Sequence, residues 1–257
     1  MNIIVCIKQT FDSEARIFLD SEGCIEESGV KFIVNPFDEY AVEESIALGE
    51  KHGGEITAVS AGRSDPSQAL RQCLAMGVNR GVWLDCGEVD FADSHMYAEV
   101  IGTWLKAQDY DLIFCGKEAI DDGSAELPSR LGEILDLPQV NTVSSVNIED
   151  GKITVKRDIE GGFETVEASM PCLLSAQKGL NDPRYPSMRR VLQAKKAKIE
   201  RITPDDLEIS KADLKPFLHV EEYIIPPSRQ GGRILNGTHE EAVTELFHEL
   251  KDERKLI

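Results

Sequence analysis

The stretch Gly116-Lys117-Glu118-Ala119-Ile120-Asp121-Asp122-Gly123-Ser124-Ala125 combines the residue types that a phosphate-bearing ligand asks of a backbone. Small side chains let main-chain amides come close, and free amides at the start of a helix favour an anion. The adjacent carboxylates Asp121 and Asp122 suit ribose hydroxyls, or serve to order the loop. The same composition also fits an ordinary polar connection from a strand into a helix. Neither G-x-G-x-x-G nor G-x-x-x-x-G-K-[ST] occurs, so neither a standard dinucleotide fingerprint nor a P-loop is indicated. Gln9-Thr10-Phe11-Asp12 follows the first strand, where an ATP-cleaving ligase needs a serine- and glycine-rich pyrophosphate loop.

Residues that make or break bonds are scarce. The five histidines (His52, His95, His219, His239 and His248) fall on expected helices or near the C-terminal end, with no metal-ligand spacing. No G-x-S-x-G nucleophile elbow is present. The six cysteines (Cys6, Cys24, Cys73, Cys86, Cys115 and Cys172) form no C-x-x-C pair. They read as buried reduced thiols rather than disulfides or metal ligands. Neither a catalytic residue nor a metal site is expected.

A formal charge of −18 disfavours nucleic acid and anionic membrane as partners. Against that background one segment is basic: Arg184, Arg189, Arg190, Lys195, Lys196, Lys198 and Arg201, with Tyr185 and Met188 among them. It suits a solvated surface turn. It also suits a docking loop for an acidic partner, with Met188 as an adaptable apolar anchor and the charges speeding encounter. No apolar run approaches the ~20 residues of a membrane-spanning helix, so no membrane insertion is expected. Asn2 to Lys8 reads as a strand that begins at once, without secretory or transit features, which points to the cytoplasm.

Short apolar runs alternate with helical patterns over the first part of the chain, the mark of a parallel sheet covered by helices. Strands are expected up to Lys8, at 56–60, 82–84 and 112–115. An irregular excursion or hairpin is expected over Ile17–Asp20 and Lys31–Val34. Asn35-Pro36-Phe37-Asp38-Glu39 has the capping residue, the proline and the early acids of a helix start. Further helices are expected from Asp65-Pro66 to Gly77, after Asp93, and through Leu127, Leu131 and Leu135. Period-two segments follow at 140–146, 153–157, 163–167 and 173–176, with turns at Asp150-Gly151 and Gly161-Gly162. The expected fold is a Rossmann-like, doubly wound parallel sheet with a β-rich extension. Residues 1–198 would form that domain. Residues 199–257 would form a thin arm ending in an amphipathic helix with Ala242, Val243, Leu246, Phe247 and Leu250 on one face.

Taken in order, several segments resemble the β subunit of electron-transfer flavoproteins. They are Ile4–Gln9, Asn35–Glu44, Ala69–Gly77, Gly116–Asp121, Leu137-Pro138-Gln139, Asn181–Tyr185, Ala194-Lys195-Lys196 and the final helix. The resemblance covers nearly the whole chain. It implies an electron-carrying heterodimer with an α subunit that holds most of an FAD and exchanges electrons with flavin dehydrogenases such as acyl-CoA dehydrogenases. It also implies a buried adenine nucleotide in this chain: AMP in simple carriers, or a second FAD in bifurcating complexes that oxidise NADH. The nucleotide site carried over by position is Cys6, Asn35, Pro36, Phe37, Asp38, Ala61 and Gly116 through Leu127. Partner recognition falls to Arg184, Tyr185, Met188, Arg189, Arg190, Lys195 and Lys196, with Met188 where a leucine often stands. The arm would reach the α subunit's flavin domain. Glu126-Leu127-Pro128 departs from the family's glutamine followed by Thr-Gly or Val-Gly. A carboxylate opposes phosphate, and proline removes an amide, which would leave either Gly123 to Ala125 as donors or a weaker, altered site. Ser124-Ala125 is closer to the Thr-Ala of bifurcating members. A stand-alone nucleotide-binding regulatory module is a further alternative.

Overall fold

Every residue from Ile3 to Cys6 is buried, so the first strand is a continuous apolar run rather than an alternation. A strand of that kind has packed layers on both faces, as in the interior of a parallel sheet. The computed structural model describes residues 1–87, 93–149, 151–209, 214–228 and 231–257. The elements begin with β1 (Asn2–Cys6), β2 (Gln9–Phe11), β3 (Phe32–Val34), α1 (Pro36–His52), β4 (Glu55–Gly62) and α2 (Ser67–Met76). They continue with β5 (Arg80–Asp85), α3 (Ser94–Leu105), β6 (Leu112–Gly116), α4 (Leu127–Leu135) and β7 (Gln139–Glu149). The last are β8 (Lys152–Ile159), β9 (Gly162–Ser169), β10 (Cys172–Ala176), α5 (Met188–Lys196), β11 (Glu200–Ile202) and α6 (His239–His248), which runs on into a π-helical turn over Glu249–Glu253 that carries Leu250.

The main sheet runs β11-β5-β4-β1-β6-β10-β7-β8-β9. Its pairs are parallel from β11 to β7 and antiparallel from β7 to β9. Alternate residues of β1 feed two cores. Ile3 and Val5 pack with Val42 and Ile46 of α1 and Leu70 and Cys73 of α2. Ile4 and Cys6 pack with Met96, Val100 and Trp104 of α3 and Leu131 of α4. From β1 the chain first winds outward through β4 and β5, then returns to place β6 on the other side. The β1/β6 boundary is therefore the switch point, where open α/β sheets bind ligands beyond their carboxyl ends.

The expected doubly wound sheet with a β-rich extension is what forms, although several details differ. The partner of β3 is β2, next to the end of β1, while Leu19 and Ile25 form only an isolated bridge. Residues 173–176 belong to β10, which inserts between β6 and β7 and is buried throughout, so it is an interior strand and not an alternating one. The basic segment is not a loop: Met188–Lys196 is helix α5, capped by the Ser187 side chain. β11 adds to the sheet edge beyond Lys198, and the first compact unit runs from Met1 to Glu221. Of the expected Asp150-Gly151 turn, Asp150 lies outside the described residues, and Gly151 takes φ 75°.

The second unit is Glu222–Ile257. In it Thr238 and Glu241 form a reciprocal capping box at the start of α6. Val243, Leu246 and Phe247 on this helix are all exposed.

Candidate functional site

The carboxyl ends of β1 and β6 open into a cleft of about 540 Å³, counted with its mouth. Lys8, Asn35 and Asp38 come to it from the chain after β1 and the start of α1. Asp38 organises that corner. Its two oxygens accept from the main-chain amides of Lys8 (2.7 Å) and Gly116 (3.0 Å), tying the ends of β1 and β6 to α1. Full burial pushes its carboxyl up to about 7, while the hydrogen bonds from Lys8, Asn35 and Gly116 pull the other way. Gly116 has to be glycine here, because a Cβ would stand 2.2 Å from Asp38 Oδ1.

Asn35 precedes α1, yet its side chain makes no helix cap. It reaches instead to the Glu118 carbonyl (2.8 Å) and accepts from the Ile120 amide (3.1 Å), fixing the far loop. That loop closes on Lys8, whose ammonium meets Asp121 and Asp122 at 2.9 Å each and lies 5.3 Å from the Tyr97 ring centre. Burial alone would lower the Lys8 ammonium. Tyr97, Asp121 and Asp122 outweigh it and hold the group above its ordinary range. Asp122 also turns the chain by accepting from the Ser124 amide (2.9 Å), and the Ser124 hydroxyl shares a 2.8 Å hydrogen bond with Ser94 of α3.

Ala125 adopts φ 54°, a left-handed conformation uncommon without glycine, and Glu126 after it is right-handed helical. Successive residues of opposite hand turn their amides toward one point, a concavity that suits an anion. Glu126 does not aim an unpaired charge into it. Arg130, one turn along α4, donates to its Oε2 through Nε (2.9 Å) and Nη2 (2.8 Å). The amides of Gly123 and Ser124 are already engaged, by the Ala119 carbonyl at 2.8 Å and by Asp122. Of the three amides expected as donors, Gly123 to Ala125, two thus already have partners.

Of the residues expected at the site, the cleft gathers Cys6, Asn35, Asp38, Ala61, Gly116, Lys117, Glu118 and Ala119. It also gathers Asp122, Ser124, Ala125, Glu126 and Leu127. Pro36, Phe37, Ile120, Asp121 and Gly123 stand behind the lining. Phe37 packs under the Lys117 ammonium, 5.2 Å from its ring centre, and Asp121 acts through Lys8. Lys8, just past the end of the first strand where a ligand is expected, lines the cleft as well. Sequence reasoning missed Ile7, Ser94, Tyr97, Ile101 and Cys115 as lining residues, and nothing local marks α3 as a wall. Among the described residues there is no group of three or more metal-ligating side chains.

The basic segment divides. Arg184 turns inward and pairs with Glu43 (2.9 Å) and Glu50 (2.7 Å) of α1, and Arg190 donates to the Met76 carbonyl (2.8 Å). Tyr185 and Met188 are 98% and 75% exposed, with Arg189, Lys195 and Lys196 also on the surface.

Residues 23–207 match the family model described as the electron transfer flavoprotein domain. The electron transfer flavoprotein subunit beta of Bacillus subtilis (strain 168) is 40% identical over 258 residues, covering 100% of both chains. This chain belongs to the electron-transfer flavoprotein family, as a β-type subunit. The β subunit of Syntrophomonas wolfei is 37% identical over 100% of this chain and 98% of its own. That of Mus musculus is 35% identical over 90% of this chain and 91% of its own. A β subunit of this family implies a companion α subunit and association with flavin. No helix among the described residues is long and apolar enough to cross a membrane.

Proposed function

We propose that this chain is the nucleotide-holding, non-catalytic subunit of a heterodimeric electron carrier, with AMP in the cleft at the β1/β6 switch point. One observation carries the reading: the cleft brings together segments far apart in sequence that the resemblance assigns to a nucleotide. The adenosine would lie between the strand ends and α3, against Ile101 and Tyr97. The phosphate would meet the amides from Ala125 to Leu127, where the backbone turns concave and Arg130 offsets Glu126. FAD, held mainly by the α subunit, supplies the redox chemistry of the pair. This chain's residues hold, orient and dock. Flavin dehydrogenases would engage the exposed face of α5, and Val243, Leu246 and Phe247 would pack on the α subunit. The setting is cytoplasmic.

A second reading places another FAD in the cleft, within a bifurcating complex that oxidises NADH. Ser124-Ala125 and the open mouth favour it. The size of the cleft, about 540 Å³ with its mouth included, suits a mononucleotide, whereas a dinucleotide would extend outside it. Mass spectrometry of small molecules released from the purified heterodimer, with a flavin count, separates the two. One flavin with AMP supports the carrier, and two flavins without AMP support bifurcation. A colourless, stable monomer indifferent to any α subunit would overturn both in favour of a stand-alone module.

A further inference from the structure

The first turn of α3 faces two ways. Ser94 and Tyr97 line the cleft, where Ser94 shares its hydrogen bond with Ser124 and Tyr97 lies beside the Lys8 ammonium. Asp93 and His95, interleaved with them, hold a different segment. One oxygen of Asp93 caps the helix by accepting from the Met96 amide (3.1 Å). The other accepts from the amides of Phe217 (2.6 Å) and Leu218 (3.1 Å). The His95 and Phe217 rings stack at 4.3 Å. Just before them Leu214 is buried in the core that α3 shares with β1 and β6. Met96, fully buried in that core, keeps the turn from rotating freely.

We propose that this turn couples the nucleotide cleft to residues 214–218, the strap that leads into the C-terminal unit, so that nucleotide occupancy steadies the strap. The inference rests on the nucleotide reading above. Its physical basis is that one rigid helical turn serves both contacts. A ligand that fixes the Asp122–Ala125 loop fixes Ser94, and with it the Asp93 carboxylate that receives the strap. Because coupling between sites is reciprocal, loosening the strap must weaken nucleotide binding by the same factor.

Asp93→Asn separates the two duties of that carboxylate. Asparagine caps helices as well as aspartate does, so its oxygen continues to serve Met96. Its amide nitrogen then faces two N–H donors and cannot hold the strap. The experiment uses the heterodimer, stripped of nucleotide and then supplied with AMP. Calorimetry reads AMP binding, and hydrogen exchange reads the amides of Phe217 and Leu218. In the wild type, AMP should slow exchange at those amides several-fold. In Asp93→Asn that AMP-dependent slowing should vanish while AMP still binds, about 5-fold or more weaker, as typical coupling between sites requires. Phe217→Ala, which leaves the helix cap untouched, should reduce the slowing in the same direction. AMP that binds the wild type without changing exchange at either amide overturns the coupling and leaves the nucleotide reading standing. So does a full AMP response in Asp93→Asn. No AMP binding by calorimetry overturns both.

Discussion

Asp38 is the residue on which the cleft's geometry turns, because its two oxygens hold the amides of Lys8, just past β1, and of Gly116, the last residue of β6. Asp38→Asn presents an NH₂ group to a buried N–H donor, and leaving such a donor unsatisfied costs about 1–3 kcal/mol. Denaturant titration should show that loss. The variant also has a pH signature. Burial raises the folded carboxyl to about 7, above its ordinary 3.8, so the folded state holds this proton more tightly than the unfolded chain. The stability so contributed is fully present below the unfolded value and disappears as pH rises through the folded one. Wild type should therefore lose stability relative to Asp38→Asn between pH 4 and 7, and a flat difference would place the carboxyl at its ordinary value. Gly116→Ala forces a methyl against Asp38 Oδ1, 2.2 Å away, and against the Asp38 amide nitrogen at 2.8 Å. Overpacking of this kind costs about 1–3 kcal/mol. The variant should unfold at lower denaturant and be isolated with less nucleotide.

At the scale of elements, α5 shows that a run of positive charge need not be a single surface. Arg184 and Arg190 are committed to α1 and to the end of α2, whereas Arg189, Lys195 and Lys196 face solvent beside Met188. Reversing Arg189 and Lys195 to glutamate should slow electron exchange with a flavin dehydrogenase at low ionic strength and flatten its salt dependence, without changing the melting temperature. Unchanged rates at low salt would remove docking from this face. Arg184→Ala should do the opposite. It leaves Glu43, only 9% exposed in its side chain, without its cation, and a loss of about 1–3 kcal/mol should appear in thermal melts. Stopped-flow electron transfer and thermal melts on the same preparations separate the two effects.

For the whole molecule, the division between Met1–Glu221 and Glu222–Ile257 matters most. Both sides of the main sheet are covered by helices of the first unit, while α6 leaves Val243, Leu246 and Phe247 exposed. A chain ending at Glu221 should therefore keep its cooperative melt and its cleft, and lose association with the α subunit. Co-purification from a strain expressing both chains reads that outcome. Retention of the partner at full strength would relocate the interface to the first unit.

The sequence by itself determined most of the elements through β9 and their order, though neither α5 nor β11, because burial periodicity is written within each segment. The apolar run of β1, the proline and acids at the start of α1, and the Asp93 cap all act through near neighbours. The glycine- and carboxylate-bearing segment after β6 was legible for the same reason. Only the tertiary structure decided which segments meet. It slid β10 between β6 and β7, diverted Asn35 from its helix to the Glu118 carbonyl, and brought Lys8 onto Asp121 and Asp122. It also turned Arg184 inward and made α3 a wall of the cleft. Such pairings depend on contacts between residues far apart along the chain. Their energies balance desolvation against a partner's charge, and that partner is invisible until the fold delivers it.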